Sequence, residues 1–181
     1  MGFTLIHRFR NKIKVDKSSH ITLGKKFKMS GCQVVIKGQN NTLNIADNVR
    51  LSNVFIQIIG NNCNINIGSE SMIGRESYIS AREENISLII GERTALSRNV
   101  KIMTSDGHPI FKNKLRINPA KNIIIGDDIW IADNVTVLKG VAIGSGSVIG
   151  INSMVVKDIP KAVVAVGNPC CVVKENITWA D

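Results

Sequence analysis

From residue 125 onward the aliphatic residues fall on a strict six-residue beat: Ile125, Ile131, Val137, Ile143, Ile149 and Val155. A small residue follows at Gly126, Ala132, Gly144 and Gly150. Four residues after each aliphatic comes Ile129, Val135, Val141, Ser147, Ser153 or Ile159. An α-helix repeats about every 3.6 residues and cannot hold a six-residue aliphatic on one face. A flat strand alternates every second residue and gives no reason for a small residue at a fixed phase. A three-sided coil accounts for both. Each unit makes one short strand and one bend, and each inward aliphatic stacks on its counterpart 18 residues away. Backbone hydrogen bonds then run from coil to coil, so only the two ends are open edges.

Weaker copies lie upstream. Ile67, Ile73 and Ile79 are followed by Gly68, Gly74 and Ser80; Ile90, Leu96 and Ile102 form the next triplet. A longer period is visible too, because Gly38, Asn40, Leu43 and Ile45 recur 22 residues later as Gly60, Asn62, Ile65 and Ile67. Leu88 and Ile90 follow another 23 residues on. These are 18-residue coils with about four extra residues at one corner. The stretches 38–41 (GQNN) and 60–63 (GNNC) suit such a corner, since Gly and Asn tolerate positive φ. Leu23 and Met29 mark the first coil. The expected architecture is all-β: a parallel β-helix of about seven coils over residues 20–160, broken by a loop at 103–122. Residues 1–19 are expected to form a basic N-terminal cap, and 161–181 a C-terminal cap or extension.

Composition agrees. The 181 residues fit one domain, and aromatics are only 4% while small and β-branched residues abound, as stacked strands require. The net charge of +9 suits nucleic acid, an anionic membrane surface or an anionic cofactor. Aromatic interleaving and nucleic-acid motifs are missing, which ranks nucleic acid low. Residues 1–16 alternate basic and apolar groups, as a cap over the first coil's open end or as a foot on a membrane surface. Cys32, Cys63, Cys170 and Cys171 fit neither a zinc nor a disulfide spacing and read as free thiols in a reducing cytosol. No apolar run is long enough to span a bilayer, and no secretory segment is evident. The expected location is the cytoplasm, with the inner face of the cell membrane as a site of peripheral contact.

In a repeat scaffold, chemistry belongs where the repeat is interrupted. The largest interruption, residues 103–122, holds His108, one of three histidines with His7 and His20. A neutral imidazole can take a proton from an attacking hydroxyl or amine. The stretch from His108 to Lys174 resembles the hexapeptide acyltransferases, which include galactoside, maltose and nodulation-factor acetyltransferases and the capsule or O-antigen O-acetyltransferases. The resemblance rests on His108-Pro109, the run from Ile123 to Ala132, Lys139 to Gly144, Ser147 to Pro160 and Val166 to Cys170. It implies a left-handed coil, the one feature of the fold that the spacing leaves open.

The resemblance also implies an acetyl-coenzyme A-dependent O-acetyltransferase acting on a sugar hydroxyl of a surface polysaccharide. Transfer is direct, with His108 as general base and no acyl-cysteine. Asp106 would orient the imidazole or meet the acceptor; as a residue of a Ser-Asp-Gly stretch it equally suits a turn. Trp130 would touch acceptor or cofactor, or simply pack. Ala132, Asp133, Ile151, Val156, Lys157 and Lys174 match cofactor positions of the galactoside type. The family often has Ala where Ile151 stands and Thr where Val156 stands, which puts side-chain contacts there in doubt. Ser80 and Arg82 are expected to face the acceptor, and the assembly is expected to be a homotrimer with shared sites. No metal is expected.

Three rival functions are open to the sequence. A zinc-dependent carbonic anhydrase on this fold needs three converging histidines, and two of those present precede most coils. A non-catalytic scaffold would keep an uninterrupted repeat. An N-acetyltransferase of an amino sugar or nucleotide-linked sugar commonly carries a further N-terminal domain.

Overall fold

The structure, a computed structural model, describes residues 3–180. Among these, three sheets of seven, six and eight strands run the length of the molecule. Successive strands of the chain go to successive sheets, and each pairs in parallel with the strand one coil away. The result is a three-sided coil of seven turns.

The six-residue beat becomes three inward columns. On the first face Ile13, Val34, Ile56, Ile79, Ile102, Val137 and Val155 stack rung by rung. On the second face the column is Leu23, Ile45, Ile67, Ile90, Ile125 and Ile143. On the third it is Met29, Leu51, Ile73, Leu96, Ile131, Ile149 and Ala165. Every member from the second coil upward is buried. β-branched side chains fill such columns well because each packs on its copy across a strand spacing of about 4.8 Å.

Both ends of the coil lie further out than the six-residue beat shows. Lys12–Val15 already pairs in parallel with Gln33–Lys37, so the first turn begins inside the expected N-terminal cap. Its signal is the two-residue alternation of Ile13 and Val15, which carries no six-residue marker. Ahead of it the short helix Leu5–Arg10 lies over the open end, with the His7 ring 4.9 Å from Phe27. At the other end Val163–Val166 still pairs in parallel with the coil below, and Cys171–Glu175 turns back antiparallel to close the edge.

The extra residues all fall on the corner between the first and second faces. Gly38, Gly60 and Glu83 stack there, with φ of 107°, 146° and 84°. A Cβ on Gly60 would stand 1.6 Å from the Glu83 carbonyl oxygen, so this corner excludes side chains at the two lower rungs. Asparagines hold the opposite corner in the left-handed region, as at Asn53, Asn99, Asn134 and Asn152. The long loop leaves from the first corner, one coil above Glu83.

Cys32, Cys63, Cys170 and Cys171 are free thiols, the first three buried. Burial raises the thiol pKa of Cys32, Cys63 and Cys170, which keeps them protonated.

Candidate active site

The strand Lys101–Met103 ends at the corner, and the chain does not rejoin the coil until Ile123–Ile125. Between them a hairpin pairs Phe111–Lys112 with Leu115–Arg116. Asn113 and Lys114 turn it, both at positive φ, the geometry that matches strand twist in a two-residue hairpin. His108 sits on the outgoing arm with its side chain exposed.

Three braces hold the backbone around it. The Glu83 carboxylate accepts from Arg116 Nη2 at 2.6 Å, Ser105 Oγ at 2.8 Å and the Ala120 N–H at 3.3 Å. The Arg116 bond is the main reason its pKa falls to about 2. Asn118 is buried and ties the two arms together. Its Nδ2 donates to Asp106 Oδ2 at 2.8 Å and to the His108 carbonyl at 2.9 Å, while its Oδ1 accepts the Ile110 N–H at 2.6 Å. Lys139, one coil above, donates to the Asp106 carboxylate and to the Asn118 carbonyl. Lys139 is the main cause that lowers the Asp106 pKa.

Asp106 is therefore committed to Lys139 and Asn118, and no hydrogen bond joins it to the imidazole among the described residues. It bears on His108 through the backbone. Ser80 and Arg82 lie at the loop's root, on Tyr78–Glu84. The Ser80 carbonyl accepts the Thr104 N–H, and the Arg82 N–H donates to Thr104 Oγ1. Ser80 Oγ and Arg82 Nε are buried with no hydrogen-bond partner among the described residues. The Arg82 guanidinium passes beside Gly107, 3.5 Å from where a Cβ would stand. Glu83 and Asp106 each hold a cation, whereas Arg82 makes no ion pair among the described residues.

The remaining expected residues are elsewhere. Trp130 is on the third face, at the level of the loop but on the opposite side of the triangle. Its Nε1 donates to Ser97 Oγ at 3.2 Å, and its ring lies 6.3 Å from that of Trp179. Ala132, Asp133 and Ile151 occupy successive rungs of the corner between the third and first faces, linked by the Asn152 N–H to the Asp133 carbonyl. The Asp133 carboxylate is taken by Arg98, whose N–H and guanidinium both donate to it and lower its pKa. Ile151 and Val156 are exposed, as are Lys157 and, on the closing strand, Lys174. No group of metal-ligating side chains able to hold an ion occurs among the described residues.

Glu83, Asn118, Lys139 and Trp179 were missed by the sequence reading. Two of them left a mark there: Glu83 breaks a repeat in which Gly38 and Gly60 hold the same place, and Lys139 opens one of the runs that carry the resemblance.

A three-sided parallel coil with a braced histidine loop defines a hexapeptide-repeat β-helix protein. No family model matches the chain. It is 44% identical over 119 residues to the polysialic acid O-acetyltransferase of Escherichia coli O1:K1 / APEC, a match covering 62% of this chain and 39% of that protein. It is 33% identical over 120 residues to the polysialic acid O-acetyltransferase of Neisseria meningitidis, covering 65% of this chain and 54% of that protein. The chain thus spans about half the length of these curated relatives or less. The crystal structure of the polySia-specific acetyltransferase NeuO superposes with a TM-score of 0.77 at 32% identity, over 96% of this chain and 90% of that one. The chain belongs to the hexapeptide-repeat acyltransferase family of left-handed β-helices.

Proposed function

We propose that this chain is an acetyl-coenzyme A-dependent O-acetyltransferase that modifies a sugar hydroxyl of a surface polysaccharide, working as a homotrimer in the cytoplasm. The observation that carries the reading is the braced loop. A solvated surface loop has no need of a buried asparagine and two ion pairs to fix the backbone on either side of one histidine. The names of the polysialic acid O-acetyltransferases support a polysaccharide acceptor.

In this reading His108 takes the proton of the acceptor hydroxyl as its oxygen attacks the thioester carbonyl. Acetyl-coenzyme A supplies the acetyl group, and the imidazolium returns the proton to the departing thiolate. The Arg82 guanidinium, which makes no ion pair among the described residues, holds the acceptor, while Ser80, buried beneath the loop, supports that loop through its carbonyl. Ala132 and Ile151 line the path of the pantetheine arm at a narrow corner, while Lys157 and Lys174 meet the phosphates. Asp133, already neutralised by Arg98, serves through its backbone.

One chain cannot close this site, because His108 and Trp130 project from opposite sides of the triangle. A neighbouring copy brings one to the other. The hairpin offers the contact: Ile110, Phe111, Leu115 and Ile117 are each more than half exposed.

The test is complementation. His108→Ala and Trp130→Ala should each fold and each lose transfer. Unfolded and reassembled together, random trimers should recover roughly a quarter of the sites, since each site draws one residue from each of two chains. Sustained turnover by His108→Ala alone would remove the base assignment, and a mixture that stays dead would remove the shared site.

A further inference from the structure

Apart from the loop, the third face carries an open groove of about 1080 Å³ that no step above uses in full. One wall is a column of outward side chains in register: Lys28, Arg50, Met72, Ala95 and Trp130. Beside it runs a column of small residues, Ser30, Ser52, Gly74 and Ser97. Gly74 belongs there because a Cβ would stand 2.3 Å from the Ser97 carbonyl oxygen. The far end is bounded by Arg10 of the N-terminal helix, the near end by Trp179, whose Nε1 donates to the Asp128 carbonyl at 2.6 Å. Four rungs at about 4.8 Å each make the column about 19 Å long, room for several sugar rings in a row.

Its chemistry is one-sided. Arg10, Lys28 and Arg50 are exposed and make no ion pair among the described residues, and no Asp or Glu lines the groove. Serine hydroxyls and two indole rings supply hydrogen bonds and flat apolar surface, the pair of contacts a sugar ring takes. We propose that this groove binds an anionic oligosaccharide, holding the acceptor polymer along the coil axis with its modified unit at the Trp130 end. The inference rests on the reading of the chain as a polysaccharide acetyltransferase and names the site that makes the acceptor polymeric and acidic.

Trp130 and Trp179 are the only two tryptophans in the sequence, so indole fluorescence reports on this groove alone. Polysialic acid titrated into the full chain, with no acetyl donor present, should change that fluorescence saturably, while neutral dextran should not. The double variant Lys28→Gln, Arg50→Gln, both exposed positions, should weaken binding roughly tenfold at low salt, with the difference shrinking as screening rises. An unchanged affinity in the variant, or an equal response to dextran, overturns the charge argument. A change of oligomeric state in the variant, read by sedimentation, makes the groove a contact between copies and overturns the proposal. Because no donor is present, loss of this binding and loss of acetyl transfer are separate results.

Discussion

Glu83→Gly separates the loop from the coil. It restores the residue that Gly38 and Gly60 hold below it and deletes the carboxylate that braces the loop. The Arg116 bond is charge-assisted, worth about 1.5–3 kcal/mol, and the Ser105 and Ala120 bonds about 0.5–1.5 kcal/mol each. The same carboxylate is held at about 2 rather than its ordinary 4.5, a ceiling of about 3 kcal/mol. Both side chains remain about a third open to water, and screening brings the brace to about 2 kcal/mol. On the backbone side, a non-glycine at φ 84° is strained by about 1 kcal/mol, and glycine's extra freedom in the unfolded chain costs about as much. The coil should therefore keep its melting temperature. The loop amides of 104–122 should exchange with solvent deuterium roughly 30-fold faster, read peptide by peptide by mass spectrometry. The pH dependence has a definite sign. A carboxyl lowered on folding stabilises fully above its unfolded pKa and loses that contribution as pH falls through the folded one. Loop protection in the wild type should thus fade between about pH 4.5 and 2, and the variant should keep only the smaller step due to Asp106, which is lowered too. Equal exchange in variant and wild type would refute the brace; a fall in melting temperature without faster loop exchange would move its role into the coil.

Other outcomes follow from the same geometry. Gly60→Ala should destabilise the coil by about 2–4 kcal/mol in denaturant melts, since its Cβ meets the Glu83 carbonyl and its φ of 146° suits only glycine; a loss under 1 kcal/mol would mean the corner yields. Asn118→Ala frees three hydrogen bonds around His108 and should lower kcat about 100-fold while the KM for acetyl-coenzyme A stays near wild type, as displacement of a base predicts. A kcat within twofold of wild type would end the positioning role. Lys157→Ala and Lys174→Ala should raise that KM, most at low salt; constancy across both would take the phosphates elsewhere.

The coil was legible because its cause is local. The beat of Ile125, Ile131 and Val137 visits the three faces in turn, and every third beat returns to the same column, so Ile125 stacks on Ile143, Ile131 on Ile149 and Val137 on Val155. Legibility failed first at the ends, where Ile13 and Val15 form a turn without the small residue that marks the others. It failed more deeply at the site. Glu83 meets Arg116 across 33 residues and Lys139 meets Asp106 across 33, through the register of neighbouring coils and the fold of a loop that has no repeat. His108 and Arg82 could be named as candidates because one stands in the interruption and the other on the strand below it. Asn118 shows no such sign, since an asparagine in a polar loop looks the same whether it faces water or ties two arms together. Departure from the repeat is the readable clue here: glutamate in a glycine's place marks where the scaffold stops supporting itself and starts holding the loop.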